Sequence, residues 1–224
     1  MLKIYKMRIR YARANSLTQG QTANIWREML LSSGLPIAKM DSDASRPRLT
    51  FGPPLALGQD SECEYIDLYF TDFVKDTEAF EALKKAEKGG IKVLESKEIP
   101  YQFPSIASLS DVVEYEVIGV DNFNPPPLED FLGSKEIIVT TVHENGLRET
   151  VDIKPYILSA KLDGGVLKIT LCKVNGRSVK VELFLAKWLN LGGNGQCNSF
   201  ESSAVKIIKK NLYYSNSLGG YTLV

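Results

Sequence analysis

Polar and apolar residues alternate from residue 3 to 13. Met7, Ile9 and Tyr11 fall on one side of the chain, and Lys6, Arg8 and Arg10 on the other. Period two over that length predicts a half-buried strand. Residues 20–33 change period: Ile25, Trp26, Met29, Leu30 and Ser33 recur at helical spacing, with Gly34 placed as a C-cap. Alternation returns over 46–51 until Gly52-Pro53-Pro54 breaks it, and 63–70 (CEYIDLYF) reads as a further strand. A second helix is expected over 75–87, closed by Gly89-Gly90, followed by a strand over 91–98. The order βαββαβ is the ferredoxin-like arrangement.

A polar, proline-containing connection from Ile99 to Asp111 marks the end of a first domain, 1–99. The second domain, 112–214, is expected to carry strands at 112–119, 136–143, 149–153, 156–162 and 166–174. A short helix should start near Pro127, a hairpin turn at Gly164-Gly165, a helix at 178–190 and a last strand at 204–214. The Gly-, Asn- and Ser-rich stretch 191–203 reads as a loop and the tail 215–224 as mobile. The expected class is α+β, with tandem ferredoxin-like (βαββαβ) units and an added hairpin in the second.

With 224 residues, 44% hydrophobic and 24% charged, the chain has the composition of a globular protein with a real core. Twenty-seven acidic side chains balance 27 basic ones. A global basic field is thereby excluded, and any nucleic-acid role needs a local patch. No apolar run approaches the ~18–20 residues that cross a bilayer. Lys3, Lys6, Arg8 and Arg10 leave no uninterrupted apolar stretch for a signal peptide. Cys63, Cys172 and Cys197 are odd in number and far apart, the pattern of reduced thiols in a cytoplasmic protein.

The strand around Arg8–Tyr11, SGLP at 33–36, RPRLTF at 46–51, PLALG at 54–58 and SECEYID at 61–67 together resemble the radical-SAM-linked protein family, a bacterial family of unknown function. DIKPYILSAKLDGGVLKITL extends the resemblance through the second half. The resemblance implies a radical-SAM protein encoded nearby as partner and a place in RNA or ribosome maturation, with tRNA or rRNA as the associated nucleic acid. Two stretches depart from the family. Its Ser-His-x-Asp opening of the first helix reads Thr18-Gln19-Gly20-Gln21 here. Its aromatic and Gly-Phe-Asn-Pro segment reads Lys39-Met40-Asp41-Ser42-Asp43-Ala44-Ser45. Family site residues are therefore not carried over at those positions.

Catalytic patterns are missing. His143 is the only histidine, in a stretch (TTVHENG) that reads as a strand end or turn. It has no partner at zinc-ligand spacing and no G-x-S-x-G elbow beside it. The three closely spaced cysteines of a radical-SAM cluster are absent. Gly192-Gly193-Asn194-Gly195 lacks the Lys-Ser/Thr of a P-loop, and no cofactor is called for. Asp76, Glu78 and Glu81 preceding Lys84, Lys85 and Lys88 suit the dipole of a solvated helix.

One constellation stands out. Strand parity places Lys6, Arg8 and Arg10 on one face, Arg46 and Arg48 together on the second strand, and Tyr65, Asp67 and Tyr69 together on the third. A ferredoxin-like sheet has helices on one side only. Guanidinium groups beside Tyr65 and Tyr69 on an open side would suit single-stranded nucleic acid. The competing reading covers that face and pairs Arg8 and Arg10 with Asp67 or Glu64 across strands. Three functions stay open: a non-catalytic RNA-binding accessory, a protein adaptor, and a metal-independent endoribonuclease resembling CRISPR repeat-processing enzymes, with Tyr11 and Arg13 as its groups.

Overall fold

The computed structural model describes residues 3–14, 16–142, 146–190, 205–216 and 220–224. His143 and the 191–203 loop therefore lie outside the described residues. The chain divides into two units, Met1–Ser110 with Val224, and Asp111–Leu223.

In the first unit β1 (Tyr5–Arg13) leads to α1 (Gln19–Ser32), β2 (Lys39–Met40), β3 (Asp43–Pro47), β4 (Leu49–Phe51), β5 (Gln59–Phe70), α2 (Asp76–Lys85) and β6 (Ile91–Ile99). β5 pairs with β4 and β1, and β1 with β6, all antiparallel. The expected strand over 46–51 is interrupted at Arg48. Its first part belongs to a β2–β3 hairpin and only its second joins the sheet.

Helix α1 begins at a reciprocal cap: Thr18 Oγ1 accepts from the Gln21 amide at 3.2 Å, and Gln21 Oε1 accepts from the Thr18 amide at 2.8 Å. Thr18 and Gln21 thus start this helix. Ser33 is the C-cap and Gly34 follows at φ +71°. Trp26, Met29 and Leu30 of α1, with Ala79 and Leu83 of α2, pack on Met7, Ile9 and Tyr11 of β1 and on Ile66, Leu68 and Phe70 of β5. Both helices therefore cover one face of the sheet.

The second unit runs β7 (Val112–Ile118), α3 (Leu128–Gly133), β8 (Ile138–Val142), β9 (Arg148–Asp152), β10 (Ile157–Asp163), β11 (Val166–Cys172), α4 (Val181–Trp188), β12 (Lys206–Ser215) and β13 (Tyr221–Leu223). Antiparallel pairing sets the order β10–β11–β7–β12–β13, while β8 and β9 form a separate hairpin. Gly164 and Gly165, at φ +55° and +79°, close the β10–β11 hairpin. Two consecutive positive φ values are what a two-residue turn of matching twist requires. Phe184, Leu185 and Trp188 of α4 pack on Val117, Leu167, Ile169 and Ile207. Within the tail beyond 214, Tyr221–Leu223 form β13 and pair with Tyr213–Ser215. The molecule is of the α+β class.

Gly89 sits at φ +60°, and a Cβ there would lie 2.6 Å from Ile25 Cδ1 of α1. Gly89→Ala should lower stability in urea by about 1–2 kcal/mol through left-handed strain and displacement of Ile25. Gly34→Ala, at φ +71° with open space around it, should show the strain alone and the smaller loss.

Candidate functional site

β1 lies between β5 and β6, and its register fixes which side chains share a face. Lys6 stands opposite Tyr69, Arg8 opposite Asp67 and Arg10 opposite Tyr65. All six therefore project to the side away from the helices, as parity predicts. Glu64 stands opposite Tyr11 and faces the helices, so Asp67 is the carboxylate available to Arg8.

This face is covered around its centre. Asp67 is 0% exposed, Lys6 3% and Arg8 6%. Arg8 Nε donates to Asp67 Oδ1 at 2.8 Å and its Nη2 to Oδ2 at 3.2 Å, a two-pronged pair. Lys6 Nζ lies 3.3 Å from the same Oδ2. The remaining donors reach a strap formed by residues 100–109. Lys6 Nζ donates to the Phe103 and Pro104 carbonyls at 2.8 and 3.3 Å, and Arg8 Nη2 to the Pro104 carbonyl at 3.1 Å. The Ile106 amide returns a hydrogen bond to Asp67 Oδ2 at 2.9 Å. The Arg8 guanidinium also lies 5.6 Å from the Phe103 ring centroid. Ile106 packs over Gly52, where an added Cβ would sit 3.3 Å from Ile106 Cγ1.

Toward β4 the same face reaches the surface. The Arg48 guanidinium stacks over Tyr69 at 4.6 Å and over Tyr101 at 5.8 Å, and its Nη2 hydrogen-bonds the Tyr101 hydroxyl at 3.1 Å. Tyr69 and Tyr101 meet edge to face at 6.3 Å. Lys6 Nζ lies 5.9 Å from the Tyr69 ring, joining this stack to the buried cluster. Tyr69 is nearly covered at 8%, whereas Tyr101 is 45% exposed.

The structure thus brings Lys6, Arg8, Tyr69 and Arg48 into one chain of contacts. Arg46 is exposed in β3, beside Asp43, whose carboxyl is held below its ordinary range chiefly by hydrogen bonds from Ser45. Arg10 and Tyr65 stand apart. Arg10 Nε donates to the Glu62 carbonyl at 3.2 Å, and burial pushes the Tyr65 hydroxyl up to about 12 against the opposing charge of Arg10. Sequence reasoning missed Tyr101; the only signal was an aromatic pair, Tyr101 and Phe103, inside a connection otherwise read as polar.

Tyr11 and Arg13 face the helices and are buried. Tyr11 packs edge to face on Trp26 at 5.1 Å, and burial pushes its hydroxyl upward. Arg13 donates to the Leu17 carbonyl and to Gln19 Oε1 at 3.4 Å. Neither offers an accessible acid or base to a phosphodiester. Cys63 and Cys172 are buried and in no disulfide, while Cys197 lies outside the described residues. Among the described residues no group of His, Cys, Asp and Glu has metal-site geometry, and no helix is long and apolar enough to cross a membrane.

The second unit arranges its polar strand residues differently. Glu116 on β7 lies 3.8 Å from Lys168 and 3.6 Å from Lys210, and Glu114 accepts from Asn211 and from the Tyr213 hydroxyl at 2.8 and 3.0 Å. These groups are partly solvated, a setting where ion pairs contribute little.

Fold and site together define a two-unit α+β protein with a cation–aromatic surface resting on a buried ionic cluster. It belongs to the family described as uncharacterized protein conserved in bacteria (DUF2344), whose model matches residues 6–182. No curated protein matches the chain.

Removing Asp67 would leave two buried cations facing each other. Asp67→Ala should cost about 3–5 kcal/mol in urea unfolding and make the 100–105 strap readily cut by protease. A second expectation concerns pH. The folded protein keeps the Tyr65 proton after the unfolded chain, at an ordinary 10.0, has released it. Its contribution is therefore full below pH 10 and is lost as pH rises through 12. Tyr65→Phe should flatten the decline in stability across that window, measured by urea midpoints at successive pH values.

Proposed function

We propose that this protein is a non-catalytic accessory module that contacts single-stranded RNA and works beside a radical-SAM enzyme in RNA or ribosome maturation. The enzyme partnership rests on the family resemblance. The RNA contact rests on one observation: Arg48 lies over the Tyr69 ring and hydrogen-bonds the hydroxyl of Tyr101, which is 45% exposed, beside the exposed Arg46. Aromatic and guanidinium planes of this kind take unpaired bases, each stacked base contributing about 1–3 kcal/mol.

The contact surface in this reading differs from the one parity suggested. Arg46, Arg48, Tyr101 and the rim of Tyr69 meet the nucleic acid, with Arg10 and Tyr65 farther along the face. Lys6 and Arg8 act indirectly, by holding the strap that carries Tyr101. We read both units as ferredoxin-like, since each places its strands in the same order: β6–β1–β5–β4 in the first and β12–β7–β11–β10 in the second. Outward strand faces serve as RNA platforms in modules of that type.

Fluorescence anisotropy with labelled single-stranded RNA at several salt concentrations tests the reading. Wild type should bind with a log–log salt slope of roughly −1.5 to −2, the value for two or three neutralised phosphates on a single strand. Arg46→Ala/Arg48→Ala should flatten that slope, and Tyr101→Ala should weaken binding without changing it. Arg27→Ala, on the exposed face of α1, should bind as wild type. Salt-independent curves, or equal binding by the Arg46/Arg48 variant, would sink the RNA reading.

A further inference from the structure

β6 is the edge of the first unit's sheet and pairs along one side only, with β1. An unpaired strand edge is a template for another chain, and proteins usually block it. Here the block is partial. At Val93 the backbone amide donates to Glu87 Oε1 at 2.7 Å and the carbonyl accepts from Lys84 Nζ at 3.3 Å. Two side chains of the protein thus fill the place of a neighbouring strand residue. From Leu94 to Ile99 no side chain does the same among the described residues.

That open stretch borders a groove of about 270 Å³ between β6 and α2. Its apolar part is Phe80 and Leu94, the latter 41% exposed. Asp76 and Glu81 of α2 flank it, and neither is ion-paired among the described residues, while Glu95 stands opposite Arg10 and turns to the other face. The nearby Lys84 is already engaged, 3.4 Å from Glu87. The groove therefore presents carboxylates around an apolar centre, alongside free backbone donors and acceptors.

We propose that this edge receives an extended segment of another protein, pairing with Leu94–Ile99 and carrying basic and apolar residues on the flank that faces α2. Strand addition provides main-chain hydrogen bonds, and the pocket selects alternate side chains. An apolar side chain enters between Phe80 and Leu94, and flanking lysines or arginines meet Asp76 and Glu81. A second copy of this protein is the wrong occupant. In a two-fold contact its own β6 would turn Ser96 and Glu98, and no cation, to the helix side where Asp76 and Glu81 lie. The site is independent of the Arg48–Tyr101 surface.

The test uses the full chain and a fluorescein-labelled peptide, Thr-Lys-Thr-Val-Thr-Lys-Thr-Val-Thr, which puts lysine and valine on one flank in any register. It should bind saturably and slow hydrogen exchange of the amides from Leu94 to Ile99. Asp76→Asn/Glu81→Lys, two exposed positions, should weaken binding by about tenfold or more with unchanged circular dichroism. A peptide with Glu for Lys, and one of the same charge with Pro at alternate Thr positions, should both fail. Arg46→Ala/Arg48→Ala should bind the peptide as wild type does, so failure of the RNA reading and failure of this one are separately visible. No saturable binding, equal binding of the Pro-interrupted peptide, binding without slowed exchange at 94–99, or a β6-mediated dimer in sedimentation would each overturn the proposal.

Discussion

The first unit is organised around one carboxylate. Asp67 sits in the middle of β5 with no solvent access, where an unpaired charge is prohibitively unstable. Arg8 and Lys6 neutralise it from the next strand, and the Ile106 amide completes its coordination. Two cations against one anion leave an excess positive charge, which the Phe103 and Pro104 carbonyls solvate. The position of the strap follows from that need: its carbonyls lie where the surplus donors point. The strap in turn places Tyr101 against Arg48 and Ile106 over Gly52. The exposed cation–aromatic stack is thus a downstream product of buried electrostatics.

Much of this was legible in the sequence. Period two in β1 and β5 assigned six side chains to one face, and the register agrees pair by pair. Parity gives the face of a side chain and not its depth. Arg8 and Arg10 look equivalent in sequence, yet one is internal because residues almost a hundred positions later fold over it, while the other stops at a neighbouring carbonyl. Tyr101 was invisible for the same reason. The β2–β3 hairpin is short and polar, with no apolar period to announce it, and β13 forms only because β12 offers it an edge. Thr18–Gln21 shows the opposite case, a local signal with a local outcome, since the side chains that cap the helix are three residues apart.

The two units answer a similar problem with opposite polarity. In the first, the cations sit on β1 and the acid on its neighbour β5, sealed from water. In the second, the acids Glu114 and Glu116 sit on β7, with lysine, asparagine and tyrosine partners on the flanking strands, partly in water. The first arrangement is costly to disturb and specifies where a loop must lie. The second tolerates change because solvent replaces any lost partner.

That contrast bears on how the lineage of this chain drifts. Lys6, Arg8 and Asp67 form a unit in which replacing Asp67 alone strands two buried cations, a loss of several kcal/mol in a fold whose whole margin is about 5–15. Loss of the carboxylate is therefore tolerable only with or after loss of the cations. A relative that has replaced the carboxylate with an apolar residue will have replaced both cations too, and with them the reason for its strap to lie where this one does.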